Sequence, residues 1–119
     1  MFGYDYKNPE VVAEMEEKWP EMTEEFMRIC HEQYEIFCAK QKNYGPGNIS
    51  VGTSLSSPDE VRLSLVGLWF RLNDKVQRLK QLIVLGNADV VGESVDDTYQ
   101  DLSVYGIIAQ LVKRGKWAK

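Results

Sequence analysis

Apolar residues recur along the chain at helical spacing and nowhere alternate as a half-buried strand requires, so the pattern predicts an all-α fold. Asn8-Pro9 opens a first, short helix, with Asn8 as N-cap and Pro9 where a missing N–H is harmless. Val12, Met15 and Trp19 fall on one side of it, and Pro20 ends or bends it. A second helix is expected from about Glu21 to Lys42, with a stripe of Phe26, Ile29, Cys30 and Phe37. NYGPGNISVGTSLSS (43–57) is rich in Gly and Ser and reads as loop, long enough to be mobile or functional. Ser57-Pro58-Asp59-Glu60 is a capping box that starts a third helix, which reaches Leu85 and stops at Gly86-Asn87. Leu65, Leu68, Leu72, Val76, Leu79 and Ile83 form its expected core face. A last helix should run from the N-cap Ser94 to about Arg114. The architecture expected is a small bundle of about four helices, one short N-terminal and three long, in a single domain over 1–119.

Composition narrows the partners. At 119 residues the chain can build one modest core, and a formal net charge of −4 argues against a protein that coats a nucleic acid polymer. A free nucleotide needs only a few well-placed cations. Cys30 and Cys38, eight apart on one helix, would sit about 12 Å apart, too far for a mutual disulfide. The N-terminal MFGYDYKNPEVV has no basic segment followed by an apolar run, and no uncharged stretch is long enough to span a bilayer. A reduced, cytoplasmic setting without a membrane partner is the expectation.

Candidate chemistry lies on the last two helices. Glu93, Asp97 and Asp101 are four apart and fall within about 80° of one another on a helix that includes Glu93. Continued, that row reaches Val104, Ile108 and Leu111, on a helix apolar nearly all round, so the acids are expected to face inward. The other reading is that acids near a helix N-terminus complement its dipole and stay wet. Clustered carboxylates need a cation or a Lys/Arg among them, and Mg²⁺ suits hard oxygen ligands while carrying phosphates. On the preceding helix Arg71, Asp74, Lys75 and Arg78 share one side and interrupt an apolar run. Two readings stand: a solvated charge ladder, or cations for phosphates beside carboxylates for a metal.

The segments LWFRLNDKVQRLKQL and GESVDDTYQDLSVYGIIA, with Lys42-Asn43-Tyr44-Gly45 upstream, resemble the phage and bacterial nucleotide modification associated domain. The likeness covers roughly residues 25 to 112. That family is similar in turn to the MazG-like all-α nucleoside triphosphate pyrophosphohydrolases, which hold Mg²⁺ with E-E-x-x-E on one helix and E-x-x-D on another. Glu93 and Asp97 match the second motif at a spacing of four, and the first motif is unmatched, with Asp74 followed by Lys75 and Arg78.

The resemblance implies a Mg²⁺-dependent nucleotide hydrolase. Glu93 and Asp97 would be catalytic, Glu93, Asp97, Asp101 and Asp74 would hold metal, and Lys75, Arg78, Arg71, Tyr44 and Asn43 would bind substrate. The stretch Tyr44-Gly45-Pro46-Gly47-Asn48 lacks the Lys and Ser/Thr of a P-loop. It reads either as a lid whose Tyr44 stacks on a base or as a turn in which Tyr44 closes the core edge. The alternative is a binder without chemistry that sequesters a nucleotide-derived host defence signal, for which the cationic Lys75 and Arg78 suffice. A third is a structural homo-oligomer with Trp69, Phe70 and Trp117 at the interface. His31 and Glu35, at i and i+4, lack a third ligand and read as a solvated face. The basic end VKRGKWAK complements the helix dipole, with Trp117 packing on a neighbour or a partner.

Overall fold

The computed structural model describes residues 3–119; Met1 and Phe2, the start of the stretch read for a leader, lie outside them. The chain is all-α, and no strand occurs among the described residues. The helices are α1 (Pro9–Lys18), α2 (Pro20–Tyr44), the single turn α3 (Gly47–Ser50), α4 (Pro58–Leu79) and α5 (Val95–Lys113). A π-helical turn, Lys80–Val84, continues α4. Two compact units divide the chain, Met1–Ile36 and Phe37–Lys119, with the boundary inside α2.

In the first unit the helical spacing is right but no core forms. Neither α1 nor α2 contains a buried residue. Val12 and Met15 are half-buried, whereas Trp19, Phe26, Ile29 and Cys30, expected to be packed, are exposed. The physical reason is that α1 and α2 follow one another almost end to end across Trp19 and scarcely pack together, so their apolar stripes are not enclosed. The apolar residues instead line a shallow groove of about 740 Å³ between Tyr6, Met15, Met22, Phe26 and Met27. Asn8 precedes α1 but its side chain makes no capping bond.

The second unit carries the core: Ile49, Leu68, Ile108, Val112 and Trp117 are buried, and Phe37, Leu65, Val104 and Tyr105 pack around them. α4 lies along α5, and α3 packs on α4. Both expected N-caps form. The Ser57 hydroxyl accepts from the Glu60 N–H at 3.2 Å, and the Ser94 hydroxyl from the Asp97 N–H at 3.0 Å. Gly86, at φ +69°, ends the third helical segment as its position suggests.

Two sequence expectations need correction, and a third is decided between its alternatives. Residues 43–57 are not all loop: α2 runs on through Tyr44, and α3 puts Ile49 and Ser50 into the core. Long-range bonds hold this turn, because the Ser64 hydroxyl donates to the Ile49 carbonyl at 2.6 Å and the Trp117 indole N–H to the Pro46 carbonyl at 3.1 Å. Of the two expectations for Trp117, packing on a neighbour and lying at an interface, the first is what the structure has: it is buried against Phe37. Val76 on α4 and Ile83 in the π-helical turn are exposed, because beyond Leu72 the side of the helix turned to α5 is taken by Lys75 and Arg78.

Candidate functional site

The site is built on one side of α4. Arg71, Lys75 and Arg78 follow at spacings of four and three on one side of the helix. Lys75 and Arg78 reach α5 and the segment leading into it, and Arg71, one turn earlier, reaches Asn48 of α3 and the Tyr105 ring. Arg78 is the most enclosed. Its Nε donates to the Thr98 hydroxyl at 3.1 Å, its Nη2 to Asp89 at 3.3 Å and to the Glu93 main-chain carbonyl. Thr98 is wholly buried, so this guanidinium fixes the 85–94 connection against α5. Asp89 also accepts the Val91 and Gly92 N–H groups at 3.0 and 3.2 Å. These bonds, the one from Val91 foremost, with Arg78 beside them, hold its carboxyl below the usual range.

Lys75 sits between two acids. Its ammonium is 3.0 Å from Asp101 and 3.2 Å from Glu93, and Lys40 of α2 approaches Asp101 at 3.6 Å. The Asp101 hydrogen bond chiefly, reinforced by Glu93 and opposed by partial burial, raises the Lys75 pKa above the ordinary lysine value.

Asp101 faces inward, whereas Glu93, expected on the same helix, lies ahead of the N-cap Ser94 with its side chain 37% exposed, and what both hold is Lys75. Asp97 does not join them: it is exposed, and only its backbone N–H is engaged, by Ser94. Asp74 is exposed as well. Among the described residues no three His, Cys, Asp or Glu side chains converge in a way that could hold a metal ion. The donor set suggested for Mg²⁺ from Glu93, Asp97, Asp101 and Asp74 therefore does not fit. The cause is position along the helix, not rotation: Asp97 and Asp101 stand only about 40° apart at 100° per residue, but the Ser94 cap starts α5 so late that Asp97 lies in its wet first turn.

Beside this cluster lies a cavity of about 260 Å³. Phe37, Lys40, Gln41 and Tyr44 of α2 form one wall, Asn48 and Ile49 of α3 another, and Arg71, Asp101 and Tyr105 complete it with Val104 and Ile108. Arg71 donates to the Asn48 carbonyl at 2.9 Å while its guanidinium stands 6.0 Å from the Tyr105 ring centroid. The Gln41 side-chain amide oxygen, Oε1, is buried and has no hydrogen-bond partner. Polar atoms in that position are rare and call for an explanation.

Of the residues expected to bind substrate, Arg71 and Tyr44 line this cavity. Lys75 and Arg78 are turned into the ion-pair cluster, and exposed Asn43 gives way to Asn48. Lys40, Gln41 and Tyr105 were not legible as site residues. A signal existed for two of them: Phe37, Gln41 and Tyr44 recur at i, i+4 and i+7, and Asp101 and Tyr105 at i and i+4. Comparison with known protein families, with characterised proteins and with solved structures finds no match for this chain.

Proposed function

We infer that the chain recognises a nucleotide, or a small molecule derived from one, in the cavity bounded by Tyr44, Arg71 and Tyr105, and that it holds this ligand without hydrolysing it. The observation that carries the reading is the composition of the cavity wall. Lys40 and Arg71 supply charge for a phosphate, Tyr44, Tyr105 and Phe37 supply ring faces for a base, and Gln41 presents an unmatched polar group that a base edge could satisfy. At about 260 Å³ the space falls just short of the usual range of ligand pockets, roughly 300 to 1,000 Å³, so it takes no more than one mononucleotide unit.

Binding alone is favoured over hydrolysis by the engagement of Lys75. A hydrolase of the kind the motifs resemble needs carboxylates free to take Mg²⁺, and here Glu93 and Asp101 are neutralised by a lysine. Sequestering a signalling nucleotide requires affinity and no turnover, so that role is compatible with the same wall. Calorimetric titration of the full chain with the ribo- and deoxynucleoside mono-, di- and triphosphates, in EDTA and again in Mg²⁺, tests this. Binding in EDTA with intact nucleotide, weakened about tenfold or more by Arg71→Met, is expected. No binding by any of these probes would refute nucleotide recognition. Mg²⁺-dependent release of pyrophosphate would reinstate the hydrolase.

A further inference from the structure

α4 turns its cations toward α5, and its other side is bare. Leu63, Val66, Trp69, Phe70 and Val76 lie there, each between 41% and 59% exposed. Their positions form one contiguous face at 100° per residue. Trp69 and Phe70 meet edge to face at 5.5 Å near its middle. Single exposed apolar side chains are ordinary, whereas five on one helix face with two large aromatics at the centre mark an interaction surface.

The order of residues along this face says what covers it. A two-fold axis between Trp69 and Phe70 lays a second copy of α4 antiparallel on the first. Trp69 then meets Phe70 of the second copy, Leu63 meets Val76, and exposed Asp59 meets exposed Lys80. The acid stands in the first turn and the base just past Leu79, so both ends of the pair match in charge. A parallel pairing would set Asp59 against Asp59 and Lys80 against Lys80. Asp59 lies about 16 Å along the axis from the dyad, so a crossing near 20° keeps these ends within ion-pair reach, and one near 50° does not.

We propose that this face of α4 is the self-complementary interface of a two-fold symmetric dimer of the chain, with its dyad at Trp69 and Phe70. The interface is isologous and closes on itself. None of the cavity residues takes part, so failure of the dimer and failure of the nucleotide site are separate outcomes.

Sedimentation of the full chain from low to several hundred micromolar should show a reversible monomer–dimer equilibrium. A single helix pair is a small interface, so a dissociation constant on the order of micromolar is expected. Trp69→Glu should leave monomer at every concentration with helical circular dichroism unchanged. Lys80→Asp sets like charges at both ends of the pair and should weaken association about tenfold, and Asp59→Lys added to it should restore the parent value. A parent that stays monomeric throughout overturns the proposal. So does a dimer that Trp69→Glu leaves intact, or a charge reversal that the second substitution fails to rescue, since another surface would then be responsible.

Discussion

Replacing Lys75 by Met removes the cation between Asp101 and Glu93 while keeping most of its aliphatic stem. The Lys75 side chain is 21% exposed, that of Asp101 18% and that of Glu93 37%. The Asp101 bond, shielded on both sides, contributes about 1.5 kcal/mol, the low end for a charged hydrogen bond. The Glu93 contact is screened by water and adds a few tenths of a kcal/mol. Without Lys75, Asp101 retains Lys40 at 3.6 Å, on a half-exposed side chain that compensates only in part. The loss should therefore be about 2 kcal/mol, which for a cooperative unit the size of Phe37–Lys119 lowers Tm by roughly 10 °C. Asp101→Asn in the same background removes the stranded carboxylate. The double variant should then be about 1 kcal/mol more stable than the sum of the two single effects. Thermal unfolding of the four proteins, followed by circular dichroism, gives the complete cycle. A Lys75→Met protein melting within about 2 °C of the parent, or a cycle without coupling, would refute the view that these acids are held by lysine.

Ser64→Ala removes the buried donor to the Ile49 carbonyl and should cost about 1 to 2 kcal/mol in urea unfolding, with faster amide exchange over 46–52 than elsewhere. Trp117→Phe keeps the edge-to-face contact with Phe37 but leaves the Pro46 carbonyl without its indole donor; a loss of about 1 kcal/mol is expected from the same assay. Because the Lys75 pKa is raised on folding, its contribution is complete below the unfolded lysine value and disappears as pH rises through the folded value. Stability should fall in that alkaline window, and the fall should be smaller in Lys75→Met. Asp89 shifts the other way, so its contribution is present at neutral pH and is lost as pH drops through its lowered value. Melting curves across the acid range should be less pH-dependent for Asp89→Asn, and an unchanged dependence would remove Asp89 from the explanation.

The sequence alone determined what depends on neighbours within one turn or two. Helix positions followed from apolar spacing, and the starts of α4 and α5 from Ser57 and Ser94, because a cap is a bond between residues three apart. The inward direction of Asp101 was also legible, since it shares a helix row with the packed Val104 and Ile108. Glu93, by contrast, precedes the N-cap Ser94 and reaches Lys75 from outside that periodicity. Tertiary structure decided everything that required knowing which face meets which neighbour. The stripe of Phe26 and Ile29 has the same periodicity as that of Leu65 and Leu68, yet the first is exposed and the second reaches a core. Ile49 and Trp117 sit in segments that look like loop and tail, and they are buried by hydrogen bonds from residues 15 and 71 positions away. The same holds for the site. Lys75 and Arg78 carry the charge a phosphate needs, but α5 and the 85–94 connection supply them with protein oxygens first. Arg71, one turn earlier, faces the end of α2, and there the cavity opens. A side chain's chemistry is written in the sequence, whereas the partner that reaches it first depends on how the helices pack.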